Sequence, residues 1–228
     1  MKKVIGFLLL ILFCNSAGAQ KYEFDYLLEW ETTTRVGTSN RFFFINSNNP
    51  DYRLLIFDKA AGKQYAWLED HPNADKHVVH VFQIVVADPT SGKYRFIYDS
   101  SYKFGNYGHS KAGKLELDKI DHNFYSIAIF NQKKTKKPDA FFNFYVEESD
   151  VQILFNNMEN PKYLQFQPLI AASLPKDKKY TITRYITKNA SGVASDEKFI
   201  NKQKVALKLE VSPEKLKFEK RESIQMKK

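Results

Sequence analysis

Cysteine is nearly absent from this chain of 228 residues, since Cys14 is the only one. A fold held together by disulfides needs paired cysteines and is therefore excluded. Glycine and proline are also scarce, with nine and eight residues, and the sequence contains no Gly-rich loop of the kind that binds phosphate. No apolar run reaches the length of about 20 residues that a membrane-spanning helix needs, so no transmembrane segment is predicted.

The first 19 residues have the pattern of a secretory signal peptide. Two lysines precede a run of about ten apolar residues, and the small residues Ala17 and Ala19 stand where a signal peptidase requires them. We predict cleavage after Ala19, which discards Cys14, and export to the periplasm or the outer envelope. The alternative is a lipid anchor on Cys14, but the residue before it is Phe13, where a lipobox has a small residue.

Residues 20–228 are predicted to form a single, mainly β domain. Apolar and polar residues alternate from Tyr22 to Trp30 and again from Tyr94 to Phe104, and a period of two is typical of half-buried strands. Similar segments recur at intervals of about 10 to 15 residues between short polar turns. This spacing indicates a single antiparallel β meander, folded as a curved half-barrel or a sandwich.

One to three short helices are expected beside these strands. Ser149 or Asp150 is suited to be the N-cap of a helix of about two turns within residues 149–160. Residues 163–174 are ambiguous because Pro168 interrupts them. Residues 212–224 form either a terminal helix or an extended tail.

Several middle strands are apolar on both faces. Phe42 and Phe44 point to one side of their strand, whereas Phe43 points to the other. An antiparallel sheet usually shows water one face, so a doubly apolar strand must be covered twice. Too few helices are expected to supply the second layer, which leaves the other side of a curved barrel, a dimer partner or a ligand as the cover, unless the strands close an ordinary two-sheet core.

These observations favour an exported cell-envelope protein that binds a lipid-like hydrophobic ligand and is not an enzyme. Residues 131–228 hold 20 basic and 12 acidic side chains, against 13 and 14 in residues 20–130, so an anionic headgroup or envelope surface is a possible partner of the second half. The predicted ligand-binding residues are Phe42, Phe44, Phe57, Phe142 and Phe144. The residues predicted to meet an anionic headgroup are Lys133, Lys134, Lys136 and Lys137.

Two other functions stay open: an envelope interaction module that buries an apolar face against a partner chain, and a carboxylate-based hydrolase. Specific motifs are lacking. Gly108-His109-Ser110 approaches a nucleophile elbow but lacks the flanking strand and helix. His77 and His80 are three residues apart on a predicted strand, so they face opposite sides and cannot hold one metal ion. No cofactor, metal site or nucleic-acid partner is predicted.

The segment KYEFDYLLEWETTTRVGTSNRFFFINSNNPDYRLLI resembles the mature start of uncharacterised exported Bacteroidetes proteins. The shared features are an aromatic-alternating first strand, a short turn, a second strand ending at Asn-Ser and then a third strand. These proteins are similar to the periplasmic lipoprotein-carrier (LolA-like) superfold. The resemblance covers about the first 50 residues of the mature chain. It implies a curved antiparallel sheet that wraps acyl chains under a helical lid, and it transfers no functional residue.

Overall fold

The computed structural model describes residues 19–59, 63–73, 76–88, 93–104, 113–131, 136–154, 166–189, 192–211 and 218–221. Within them lie twelve strands and one helix. They are β1 (Gln20–Thr34), β2 (Gly37–Asn46), β3 (Asn49–Lys59), β4 (Lys63–Asn73), β5 (Lys76–Asp88), β6 (Lys93–Phe104), β7 (Lys114–Lys119), β8 (Phe124–Phe130), β9 (Ala140–Ser149), α1 (Phe166–Ser173), β10 (Lys179–Asn189), β11 (Gly192–Val211) and β12 (Phe218–Arg221).

All twelve strands belong to one sheet, in the order β12-β6-β5-β4-β3-β2-β1-β11-β10-β9-β8-β7. The meander β1–β6 and the meander β7–β11 meet where β1 pairs with β11, from Gln20 opposite Val211 to Thr34 opposite Ser195. Eleven strands are antiparallel to their neighbours, and β12 adds to β6 in parallel. The prediction of a mainly antiparallel β fold is confirmed.

The sheet is strongly curved. Phe44 on β2 and Tyr94 on β6 have ring centroids only 5.1 Å apart, although their strands are four positions apart in the sheet. In a flat sheet that offset corresponds to about 19 Å. Two register shifts in β1, after Phe24 and after Glu29, bend the central strand. Of the two predicted forms, the curved half-barrel is therefore the correct one, as the resemblance implied.

Two apolar cores lie on opposite faces of this sheet. The helix core gathers residues of β1–β3 and β8–β10 with α1, and the strand core gathers residues of β1–β5 and β11, with β6 packed against it. Neighbours in sequence point to different cores: Phe43 belongs to the helix core and Phe44 to the strand core, and Leu55 and Leu54 divide in the same way. The doubly apolar strands are thus covered by α1 and β8–β10 on one face, and by the curl of the sheet on the other.

The helix predicted to begin at Ser149 or Asp150 is wrong over residues 149–154. Ser149 ends β9, and Ile153 instead forms a parallel bridge with Thr181 of β10. Ile153 N donates to Tyr180 O and Ile182 N donates to Ile153 O, both at 2.9 Å. The first half of β10 does not pair with β11, whose register with β10 begins at Arg184. The extended segment around Ile153 therefore provides hydrogen-bond partners for backbone groups of β10 that a helix would leave unpaired. Residues 155–160 lie outside the described residues.

The ambiguous segment 163–174 contains α1. Pro168 is tolerated because it stands in the first turn, where its missing N–H has no partner to lose. Among residues 212–224, the described part is the short strand β12, so the extended form is correct there. In the described part of the chain, no helix has the length and apolar character needed to cross a membrane.

Candidate functional site beneath the helix

An aromatic floor forms the sheet side of the helix core. Its members are fully buried or nearly so and come from β8, β9 and β10: Tyr125, Phe142, Phe144 and Tyr185. The ring centroids of Phe142 and Tyr185 are 5.3 Å apart, and Tyr125 stacks on Phe144 at the same distance. Alternation places these side chains on one face, and the antiparallel register brings them side by side.

The short helix α1 covers this floor. It buries Phe166 and Ile170 completely, and the following Leu174 is also buried. The Phe166 ring centroid lies 5.2 Å from that of Phe142. The side chains that α1 contributes to the helix core are therefore apolar. Among the described contacts, their burial against the floor is the interaction that holds the helix in place.

The structure does not bring the five predicted ligand residues together. Phe142 and Phe144 lie side by side in the floor. Phe44 is fully buried in the strand core, and Phe42 packs against that core. Phe57 lies in neither core and contacts other aromatic rings on β4. Their roles in binding stay a prediction.

The predicted headgroup lysines are only partly within the described residues. Lys136 and Lys137 are exposed in the turn before β9. Lys133 and Lys134 lie outside the described residues.

A cleft of about 120 Å³ adjoins the first turn of α1. Ile153 and Leu154 of the helix core line part of this cleft. The described lining residues are Ile45, Asn46, Ser47, Pro50, Tyr52, Arg53, Gln152, Ile153, Leu154 and Gln167. A second cleft, of about 310 Å³, lies beyond the other end of α1, where Leu174 and Pro175 face the turn between β7 and β8. Clefts therefore border the cover of the floor at both ends.

Arg53 is the one charged residue among the described residues that line the first cleft. Its side chain is only 3% exposed, and Nε donates to Glu69 Oε2 at 2.7 Å. Nη2 lies 2.6 Å from the same oxygen as an ion-pair contact without hydrogen-bond geometry, and Nη1 has no hydrogen-bond partner. The guanidinium also lies over the Phe43 ring, 5.3 Å from its centroid. The pair is buried, neutral overall and incompletely satisfied.

A buried polar chain crosses the strand core. Tyr98 OH lies 2.8 Å from Ser101 Oγ, which lies 2.6 Å from His80 Nδ1. His80 Nε2 is 3.2 Å from Tyr22 OH, which donates to Asp70 Oδ2 at 2.6 Å. One set of proton positions satisfies every contact, with neutral His80 donating from Nε2 and accepting at Nδ1.

Burial sets the protonation of this chain. Desolvation lowers the pKa of His80 to about 4, so the ring is neutral near pH 7. Desolvation also raises the pKa of Tyr22, with the Asp70 hydrogen bond acting in the same direction. For Asp70, desolvation raises the pKa and outweighs the opposing hydrogen bond from Tyr22. The His80 ring therefore takes part in this network as a neutral donor and acceptor near pH 7.

The sequence interpretation missed these buried polar groups. A further one is Glu197, which accepts hydrogen bonds from Tyr185 and Thr32 in the interior. One signal was available in the sequence. Arg53 stands in a predicted strand whose following residues are apolar on both faces, and a charged side chain is unusual in such a place.

No protein-family model matches this chain, and no curated protein matches it. Among solved structures, the chain is similar to a crystal structure assigned to an outer-membrane lipoprotein-sorting protein domain from Vibrio parahaemolyticus. The two chains are 8% identical, and the similarity covers 83% of this chain and 86% of that one with a TM-score of 0.21. The present fold is therefore defined by its own strand order and contacts.

Proposed function

We propose that this protein is a non-catalytic, exported binder of a lipid-like hydrophobic ligand, held between the aromatic floor and α1. One observation carries the proposal. A floor of four aromatic side chains is covered by a helix of eight residues, and the helix buries only apolar side chains against it. The apolar face of the sheet is large, whereas α1, which covers the floor, is only eight residues long.

The proposed binding mode is an exchange of apolar surfaces. The side chains of Phe166 and Ile170 already cover the floor, so the ligand takes their place when it binds. Apolar burial is non-directional and contributes about 25 cal/mol per Å² whichever molecule supplies the surface. An acyl chain that covers the floor therefore recovers most of the free energy lost when α1 moves away.

The two clefts support this exchange because they border α1 at its two ends. A ligand that enters at either cleft meets the edge of the helix core first. The leader supports export, and exposed Lys136 and Lys137 offer positive charge to an anionic envelope surface. Export and contact with an anionic surface are therefore part of the proposed function, in addition to ligand binding.

Native mass spectrometry tests the proposal directly. The protein is expressed with its leader, purified from the exported fraction without detergent, and compared with a sample stripped by organic solvent and refolded. We expect the untreated protein to carry an additional mass that corresponds to one lipid, and solvent extraction to release that lipid. Identical masses together with no extractable lipid would contradict the proposal.

A second candidate, the interaction module, is favoured by an exposed apolar patch at the other wing of the sheet. Trp67 on β4 is 37% exposed and Ile97 on β6 is 48% exposed. Phe57 contacts Trp67 at a centroid distance of 4.6 Å. Light scattering during size-exclusion chromatography separates the two functions: the ligand binder elutes as a monomer, and a module that pairs through this patch elutes as an oligomer that Trp67→Ser dissociates.

A further inference from the structure

The cleft at the first turn of α1 combines polar lining with direct access to the helix core. Gln152 and Gln167 come from the covering side, and Arg53 comes from the sheet. Ile153 and Leu154 line the same cleft and belong to the helix core. A ligand in this position therefore meets hydrogen-bonding groups at one end and the apolar core at the other.

Arg53 has an unused donor at this cleft. Glu69 engages Nε and Nη2 on one edge of the guanidinium, and Phe43 lies against its face. Among the described residues Nη1 has no hydrogen-bond partner, although the side chain is only 3% exposed. Buried donors without acceptors cost free energy, and native structures rarely keep them without a reason. A ligand acceptor at this position removes that cost.

We infer that Arg53 binds the carbonyl oxygen of an uncharged ester or amide group at the head of the hydrophobic ligand. The inference deepens the proposed function and rests on it. The carbonyl accepts a hydrogen bond from Nη1, and the chain beyond the carbonyl passes under α1 onto the aromatic floor. The class of ligand is thus an esterified or amidated acyl chain.

The charges at the cleft favour an uncharged group over a free carboxylate or phosphate. Glu69 already neutralises Arg53, and the other lining residues that the structure describes carry no charge. Asp25 lies beside the cleft and accepts a hydrogen bond from Ser47 N at 2.8 Å. Among the described lining residues a buried anion finds no further cation to pair with, and an unpaired buried charge is strongly unfavourable. A carbonyl oxygen needs only the spare N–H.

Three probes with similar chain length distinguish these classes: methyl dodecanoate, dodecanoate and tetradecane. Each displaces the uncharged dye N-phenyl-1-naphthylamine from the full chain, and the displacement gives its affinity. We expect methyl dodecanoate to bind about three- to tenfold more tightly than tetradecane, as one additional hydrogen bond predicts. The double variant Arg53→Met/Glu69→Leu deletes the donor and both charges together, so it should bring the ratio of ester to tetradecane affinity, measured within the same variant, close to one.

The outcomes separate this inference from the proposed function. If neither the dye nor any probe binds, the proposed function fails and the inference fails with it. If tetradecane binds as tightly as the ester, or the double variant keeps the ester preference, the Arg53 assignment alone is overturned. Tightest binding by dodecanoate would overturn the choice of an uncharged group.

A second measurement on the unmodified protein covers the case in which the double variant does not fold. The infrared C=O stretch of bound methyl dodecanoate, labelled with ¹³C at the carbonyl, is compared with its position in hexane. A hydrogen bond from Nη1 lowers the frequency. A band at the hexane position would show a carbonyl without a donor and would overturn the inference.

Discussion

The ring centroids of Phe142 on β9 and Phe166 on α1 are 5.2 Å apart, so the floor and its cover meet through two fully buried rings. Phe166→Ala removes one of them and leaves a cavity above the floor. We expect the free energy of unfolding to fall by about 3–5 kcal/mol. We also expect N-phenyl-1-naphthylamine to restore part of it, because the dye binds the folded state. Urea denaturation with and without the dye measures both effects.

Phe82→Ala is the matched control. Phe82 is buried in the strand core and contacts Phe96 at 6.2 Å and Tyr98 at 5.9 Å between ring centroids. Its loss should destabilise the protein by a similar amount, but the dye should not restore stability, since no helix covers that core in the described residues. Equal recovery in both variants would mean that the dye simply fills any cavity.

The buried His80 should make the protein less stable in mild acid. Its folded pKa of about 4 lies below the ordinary value of 6.5, so the unfolded chain binds more protons between these two values. Stability is therefore present above pH 6.5 and is lost as the pH falls toward 4. Between pH 7 and pH 5 we expect a loss of about 2 kcal/mol, measured by urea denaturation at each pH.

His80→Gln should flatten this dependence because it removes the titrating ring. Asp70 acts in the opposite direction: its raised pKa favours the protonated form in the folded state, so its contribution is lost as the pH rises from 3.8. Asp70→Asn therefore separates the Asp70 contribution from that of His80 at every pH. An unchanged pH slope in His80→Gln would rule out His80 as the source.

The buried ion pair of Arg53 and Glu69 should be costly to break and cheap to replace. Arg53→Met alone leaves a buried carboxylate, and we expect a loss of about 3–5 kcal/mol in the free energy of unfolding. Arg53→Met/Glu69→Leu should lie much closer to the parent protein, because no charge is left buried. Chemical denaturation of the two single variants and the double variant gives the coupling energy.

An exposed pair provides the comparison for that cycle. Lys178 Nζ and Glu148 Oε2 are 2.7 Å apart, but both side chains are about half exposed. Solvent and salt screen such pairs, so Lys178→Met should change stability little. A coupling at Arg53–Glu69 no larger than at this exposed pair would show that burial does not matter there.

Charge reversal at Lys136 and Lys137 tests the expected anionic surface. Both side chains are exposed before β9, so substitution by Glu should leave the fold intact. We expect weaker sedimentation with phosphatidylglycerol vesicles, and a difference from the parent protein that shrinks as salt is added. Lys176→Glu/Lys179→Glu changes the net charge equally at a different exposed site, and an equal loss there would indicate a general charge effect.

Most strand positions were predictable from the sequence, because apolar and polar residues alternate along a strand that is buried on one face. The sequence pattern misses β7 (Lys114–Lys119), which carries four charged residues in six. It also misses the first half of β11, which is polar on both sides and is fixed by pairing with β1. In both cases pairing with the neighbouring strand, rather than an alternation of apolar and polar residues, determines that the segment is a strand.

The site was predictable only in part. Apolar residues on both faces correctly indicated that β2 and β3 are covered twice, but on β9 Phe141 is 40% exposed. The pattern also does not say which cover belongs to which face. Phe44 faces the strand core and Phe144 the helix core, although their local sequences look alike. The Arg53–Glu69 pair depends on the β3–β4 register, which a single sequence does not fix.

The pairing of β1 with β11 has a consequence for the timing of folding. Glu23 and Lys208 form an ion pair across these strands at a separation of 185 residues. At about 5–20 residues per second of synthesis, the innermost strand waits roughly 10–40 s for its second neighbour. Throughout that delay one edge of β1 has no strand to pair with, so the two meanders cannot yet join into one sheet.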